Sequence, residues 1–143
     1  MTLTQHAVLT GIAASALAPS LGAGEIAIFA VGAILIDVDH YFLYIQRRRN
    51  LSVRGMFRYF EELQPIESTL PYVGLCVFHT IDFFVLLAAL AYWHPLVGFL
   101  LAGCLFHFAI DLFDLWRKGI LFIRAYFLVE HLIRRRARGY PWY

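Results

Sequence analysis

An imidazole and two carboxylates lie inside an apolar run long enough to cross a bilayer, and this feature constrains the chain more than any other. The run extends from Leu96 to Leu115 and closes on His107-Phe-Ala-Ile-Asp111-Leu-Phe-Asp114. At helical pitch His107, Asp111 and Asp114 share one face, while Phe106, Phe108, Ile110, Leu112 and Phe113 occupy the rest of the circumference. Such groups are expensive to bury in hydrocarbon unless something neutralises them, and a divalent metal would do so.

The composition agrees with a membrane setting. Of 143 residues, 61% are hydrophobic and 15% charged, and the mean hydropathy is +0.67. This length makes one domain. Cys76 and Cys104 both sit in apolar runs, which suits packed thiols better than a disulfide framework. The net charge of +2 says little, and no nucleic-acid partner is expected. The N-terminus lacks the basic region and cleavage site of a secretory signal, so it is expected to be retained.

Taken in order, the chain predicts an all-α fold, an integral membrane four-helix bundle with an additional amphipathic C-terminal helix. Spans are expected at about 3–21, 26–45, 71–93 and 96–115, with interfacial segments at 47–68 and 120–136. Pro19, Ser20, Gly22 and Gly24 make the first turn, and His94-Pro95 the last. Met56, Phe57, Tyr59 and Phe60 mix aromatics into the polar 47–68 segment, as a surface-lying helix or loop would. Trp142 and Tyr143 suit an interfacial anchor. All twelve Lys and Arg fall between spans two and three or after span four, which places both regions, and both termini, on the cytoplasmic side. The arginine clusters Arg47 to Arg49 and Arg134 to Arg136 read as topology determinants that also meet anionic lipid headgroups.

This topology brings the ionisable residues of every span to one depth. His6 opens span one, Asp37, Asp39 and His40 close span two, His79 and Asp82 lie in span three, and His107, Asp111 and Asp114 in span four. Imidazoles and carboxylates bind zinc or another first-row divalent ion, and a catalytic ion keeps one position open for water. Six or more candidate ligands allow one or two ions. Each His-x-x-x-Asp or Asp-x-x-x-Asp spacing is weak alone; the coincidence across four spans is the specific signal.

Blander readings compete residue by residue. His107 with Asp111 could be a buried pair that ties helices together. Asp37 and Asp39 are about 200° apart on an ideal helix, so both face one site only if the helix ends there; Asp39 with His40 is the preferred pair, and Asp37 reads as a cap or solvated residue. Asp82 could instead hold an imidazole. Asp114 could pair with Arg117 or Lys118. His94 reads as structural. Glu130 and His131 read as an exposed polar face, with a cap over the site as the alternative.

His6, Asp37-Val-Asp39-His40, His79 and His107-x-x-x-Asp111 together resemble, in residue type and order along nearly the whole chain, the bacterial inner-membrane metal-dependent hydrolases. Some members of that family are under LexA control. The family is distantly similar to zinc-dependent phospholipase C and related zinc nucleases. The resemblance implies His6, Asp39, His40, His79, His107 and Asp111 as metal ligands. Where the family often carries a His-Arg pair and then Thr-His-Ser, this chain has Phe78-His79-Thr80-Ile81-Asp82.

The expected function is hydrolysis of a phosphoester, in a lipid or membrane-associated substrate, by metal-activated water at the cytoplasmic leaflet of a bacterial inner membrane. Asp82 or Asp114 would be the catalytic groups that orient water or carry a proton. Zinc suits the ligands best, with manganese or iron as alternatives. The competing class is a non-catalytic metal- or haem-binding subunit of a larger membrane complex. The carboxylates argue against haem, whose axial ligation gains nothing from them.

Overall fold

Apolar runs become helices wherever no backbone group is needed by another segment, and in one run that condition fails. The computed structural model describes residues 3–70 and 72–138. Pro71, where the third span was expected to begin, and the expected anchor residues Trp142 and Tyr143 lie outside the described residues. The described chain is all-helical: α1 (Leu3–Leu17), α2 (Ala23–Leu35), α3 (Val38–Arg48), α4 (Val53–Leu63), α5 (Ile81–Trp93), α6 (Pro95–Arg117) and α7 (Leu128–Arg138). Short 3₁₀ turns lie at Gln64–Thr69, Val77–His79 and Leu121–Ile123. Among the described residues the only β feature is an isolated parallel bridge between Gly74 and Arg124.

Two stretches, Ala23–Arg48 and Pro95–Arg117, are long and apolar enough to cross a membrane. Only 33% and 22% of their most apolar windows are buried within the protein, whereas the core helix of a water-soluble domain is mostly buried. The apolar helix α5 is 13 residues long and α1 is 15, both shorter than the expected spans.

Two compact units divide the chain: one comprises residues up to Ile36 with Asp82–Asp114, the other Asp37–Ile81 with the residues from Leu115 onward. In the first unit, α1, α2, α5 and most of α6 bury Phe29, Ala33, Phe84, Leu87 and Cys104. Glu25 fastens the start of α2, its Oε2 accepting from Gly22 N at 2.8 Å. The crossing of α2 and α6 is close because both helices place glycine there. A Cβ on Gly32 would overlap Leu100 O, and one on Gly103 would overlap Phe29 O. Cys104 Sγ reaches Gly32 O at 3.5 Å across the same crossing.

The second unit is built on Leu43, Leu63, Val73, Cys76, Leu115 and Ile123, with Phe60, Leu70, Ile120 and Leu121 packed around them. Ser52 caps α4 by accepting from Gly55 N at 3.0 Å. The departure from expectation lies at residues 72–80, which are extended or 3₁₀ rather than part of a third span. Their backbone is committed to a neighbouring segment: Val73 N donates to Ile123 O at 2.9 Å and Ile81 N to Tyr126 O at 2.9 Å. A residue whose N–H is so engaged cannot also close an α-turn. Gly74 sits at φ +143, where a side chain would be strained and would press on Leu43 and Arg47.

The α2–α6 crossing makes a stability prediction. Gly103→Ala should destabilise the purified protein by roughly 1–3 kcal/mol, because the obstacle is backbone that cannot yield. Gly98 on the same helix has nothing within 4 Å of its Cβ position, so Gly98→Ala should be neutral or stabilising by up to about 1 kcal/mol. Thermal unfolding of the two variants beside wild type checks both signs.

Candidate metal centres

In the first unit His6, His107 and Asp111 bring one ligand atom each to within 4.8 Å of the other two, and all three residues are buried. His107 and Asp111 are one turn apart on α6 and so share a face. His6 comes from the first turns of α1, with Thr10 buried one turn later. His6 Nε2 lies 3.2 Å from Asp111 Oδ1. The imidazoles of His6 and His107 stack face to face, their centroids 3.9 Å apart and their planes within 9°. His107 Nδ1 contacts Ala33 O at 2.7 Å. A carbonyl only accepts, so Nδ1 carries the proton and a neutral His107 keeps its lone pair on Nε2, the form a metal requires. His6 Nδ1 is buried with no hydrogen-bond partner among the described residues.

In the second unit Asp39, His40, Cys76 and His79 form a corresponding group, their ligand atoms again all within 4.8 Å of one another. The helix break that the sequence left open is present: α2 ends at Leu35 and α3 starts at Val38, with Asp37 at its N-cap. Asp37 therefore escapes the 200° separation. Its Oδ1 lies 3.3 Å from His40 Nδ1 and 3.7 Å from His79 Nε2, although its side chain makes no cap hydrogen bond. Asp39 Oδ2 accepts from Phe78 N at 3.0 Å and lies 3.0 Å from His79 Nδ1. With Asp39 as a carboxylate, His79 donates from Nδ1 and keeps its lone pair on Nε2. Asp39 Oδ1 and His40 Nδ1 are 3.0 Å apart, yet both are buried and neither makes a hydrogen bond among the described residues. His79 occupies a 3₁₀ turn rather than a helix interior, and Thr80 Oγ1 locks that turn by donating to Val77 O at 2.7 Å.

Asp82 and Asp114, expected as catalytic groups, stand outside these ligand groups. Asp82 is exposed in the first turn of α5, and Asp114 is half-buried near the end of α6. Cys76 is the member that sequence reasoning missed: it reads as a packed thiol in an apolar run, and its Cys-x-x-His spacing to His79 was the available signal. His94 is exposed at the α5–α6 turn, where its carbonyl accepts from Val97 N at 2.8 Å.

Three surface expectations are corrected. Arg47 is buried, and Arg47 Nη2 donates to Val73 O at 2.5 Å, so it serves the extended segment and is not a headgroup contact. Its position on α3 puts it on the inward face with Leu43 and Tyr44, while Arg48 and Arg49 face out. His131 is buried rather than exposed, because α7 turns it towards Tyr72, whose hydroxyl meets His131 Nδ1 at 2.6 Å. Glu130 caps the start of α7 rather than a metal centre, its Oε2 accepting from Tyr126 N at 2.7 Å.

The donor sets fit a borderline divalent ion: imidazoles, of which His107 and His79 have their tautomer fixed by a partner, carboxylate oxygens, and in the second unit a thiol. The buried ligand atoms His6 Nδ1, Asp39 Oδ1 and His40 Nδ1, which make no hydrogen bond among the described residues, point the same way. Comparison with known proteins finds no matching family model, curated protein or solved structure.

His131 makes the fold pH-sensitive. Burial, reinforced by the positive charges of Arg135 and Arg47, lowers its pKa below the ordinary 6.5. The unfolded chain therefore binds this proton more readily than the folded one. The contribution of His131 to stability is present above pH 6.5 and is lost as pH falls from there through the lowered folded value. Unfolding midpoints measured from pH 8 down to about pH 5 should fall less steeply in His131→Gln than in wild type.

Proposed function

We propose that this protein is an integral membrane, metal-dependent hydrolase that cleaves a phosphoester in a lipid or membrane-associated substrate. The observation that carries the reading is the buried convergence of His6, His107 and Asp111, three donors of the kind and number found around a catalytic zinc. An ion held there would polarise a phosphoryl oxygen and lower the pKa of a water in its open position. The chain's own part is to fix donors and move protons. Ala33 O sets the His107 tautomer, and Asp111 lies beside His6. Asp114 or Asp82 would orient the attacking water or carry its proton. Zinc suits the donors best, with manganese or iron as alternatives.

The likeness in motif order to the bacterial inner-membrane hydrolases supports this class. The two membrane-length apolar stretches support four spans, completed by α1 and α5, in a bacterial inner membrane. The distribution of Lys and Arg supports cytoplasmic termini, with lipids as the surrounding partners.

A second reading, a non-catalytic metal-binding subunit of a larger membrane complex, is favoured by one observation: the group in the second unit offers four donors, enough to close a zinc site. Haem is disfavoured, because face-to-face imidazoles of His6 and His107 do not present nitrogens to opposite faces of a porphyrin.

Elemental analysis after chelator-free purification tests the proposal. Wild type should carry near-stoichiometric zinc, manganese or iron. His107→Ala should lose the metal of the first unit, and Asp39→Ala that of the second. Wild type but not His107→Ala should hydrolyse a generic phosphodiester and then phospholipid in vesicles. Metal-free wild type would sink the metal reading; metal without hydrolysis of either substrate would leave the subunit reading in its place.

A further inference from the structure

We infer that Cys76 is a thiolate ligand, and that Asp39, His40, Cys76 and His79 form a closed four-donor site selective for zinc or a similarly soft ion. This rests on the metal-binding half of the proposed function and deepens it for the second unit.

The local backbone makes the first argument. His79 N donates to Cys76 O at 3.1 Å, closing a tight turn over Cys76-Val-Phe-His79. Cys76 caps this turn in extended conformation, and its Sγ lies within 4.8 Å of a ring nitrogen of His79. Thr80 Oγ1 and Asp39 Oδ2 hold that turn, through Val77 O and Phe78 N respectively. Structural zinc sites commonly draw two ligands from one short segment, as in Cys-x2–4-Cys pairs, and Cys76 and His79 have a spacing of that length.

The partner atoms make the second argument. Asp39 is 3% exposed, and its Oδ1 lies 3.0 Å from His40 Nδ1 without hydrogen-bond geometry. A buried carboxylate–imidazole contact this close, yet outside hydrogen-bond geometry, is arranged like two ligands aimed at a common centre. Asp39 Oδ2 is meanwhile occupied with Phe78 N and the His79 ring, which leaves Oδ1 as the coordinating atom.

The donor count makes the third. Four protein ligands complete a tetrahedron and leave no position for water, whereas three leave one open. The group in the second unit is therefore a holding site, and its ion would fix the start of α3 to the 76–79 turn. The sulfur also sorts metals: a thiolate favours zinc over manganese or magnesium, which prefer all-oxygen surroundings.

Cobalt substitution of the purified full chain provides the test. Co²⁺ added to metal-stripped wild type should give an intense sulfur-to-cobalt charge-transfer band in the near ultraviolet. The band should vanish in Cys76→Ser and persist in both Cys104→Ser and His107→Ala. Zinc-loaded wild type provides a readout that needs no variant, an X-ray absorption spectrum with a sulfur shell at about 2.3 Å. Cobalt binding without the band, a band that survives Cys76→Ser, or a zinc spectrum without sulfur would overturn the inference and leave the proposed hydrolase standing. A wild-type chain that binds no cobalt would overturn both.

Discussion

Ala33 O and His107 Nδ1 are 2.7 Å apart, and because a carbonyl can only accept, this contact decides which imidazole nitrogen keeps its lone pair. The contact depends on glycine. Gly32 and Gly103 let the backbones of α2 and α6 approach until an imidazole on one helix reaches a carbonyl on the other. Ala33 lies in the last turn of α2, where helix carbonyls lose their intrahelical partners, and the histidine takes up this one. Helix packing and ligand chemistry are thus one constraint. A bulkier residue at the crossing would disturb the tautomer as well as the fold.

The second unit reaches the same chemical end by another route. There a carboxylate, Asp39 Oδ2, stands where the carbonyl stands in the first unit, and it fixes His79 in the corresponding form. The cost of burying such groups shows why they must serve one another. A lone aspartate at the centre of a bilayer costs about 2.5–3.5 kcal/mol on insertion scales, a large share of the roughly 5–15 kcal/mol by which a domain is stable. Asp39, Asp111, His6, His79 and His107 are all nearly inaccessible, and each lies beside at least one other polar group.

Sequence alone located the helices that follow uninterrupted apolar runs. The stretch from Pro95 to Arg117 is one helix, as its composition demands, while α2 starts at Ala23, taking in Gly24 of the expected turn and preceding the expected start at Ile26. It could not locate the break at Ile36–Asp37, where no glycine or proline marks the change, nor the extended segment 72–80, which is as apolar as a helix would be. That segment is decided by long-range pairing with residues 123–126, a contact that periodicity does not encode. The ligand residues were legible by type, because histidine and aspartate in apolar runs need a reason. Their grouping was not, since it depends on the break before α3 and the turn at Val77–His79. Cys76 was hidden for the opposite reason: a thiol looks at home in a core, and it does pack there. Arg47 and His131 misled because charge was taken as a sign of exposure, while both bury the polar end against a specific partner.

In the proposed four-span arrangement, the brevity of α5 would bear on the membrane itself. At 13 residues it is about 20 Å long, and α1 at 15 residues is about 22 Å, against a hydrocarbon thickness of about 30 Å. A bilayer crossed by such helices would have to thin to meet them or be met by flanking side chains, at a cost of fractions of a kcal/mol per ångström of hydrophobic mismatch. Thinning draws the headgroup layer inward along the helix ends. Ester linkages, ordinarily held at the edge of the hydrocarbon, would then approach buried polar residues without any lipid having to leave its leaflet.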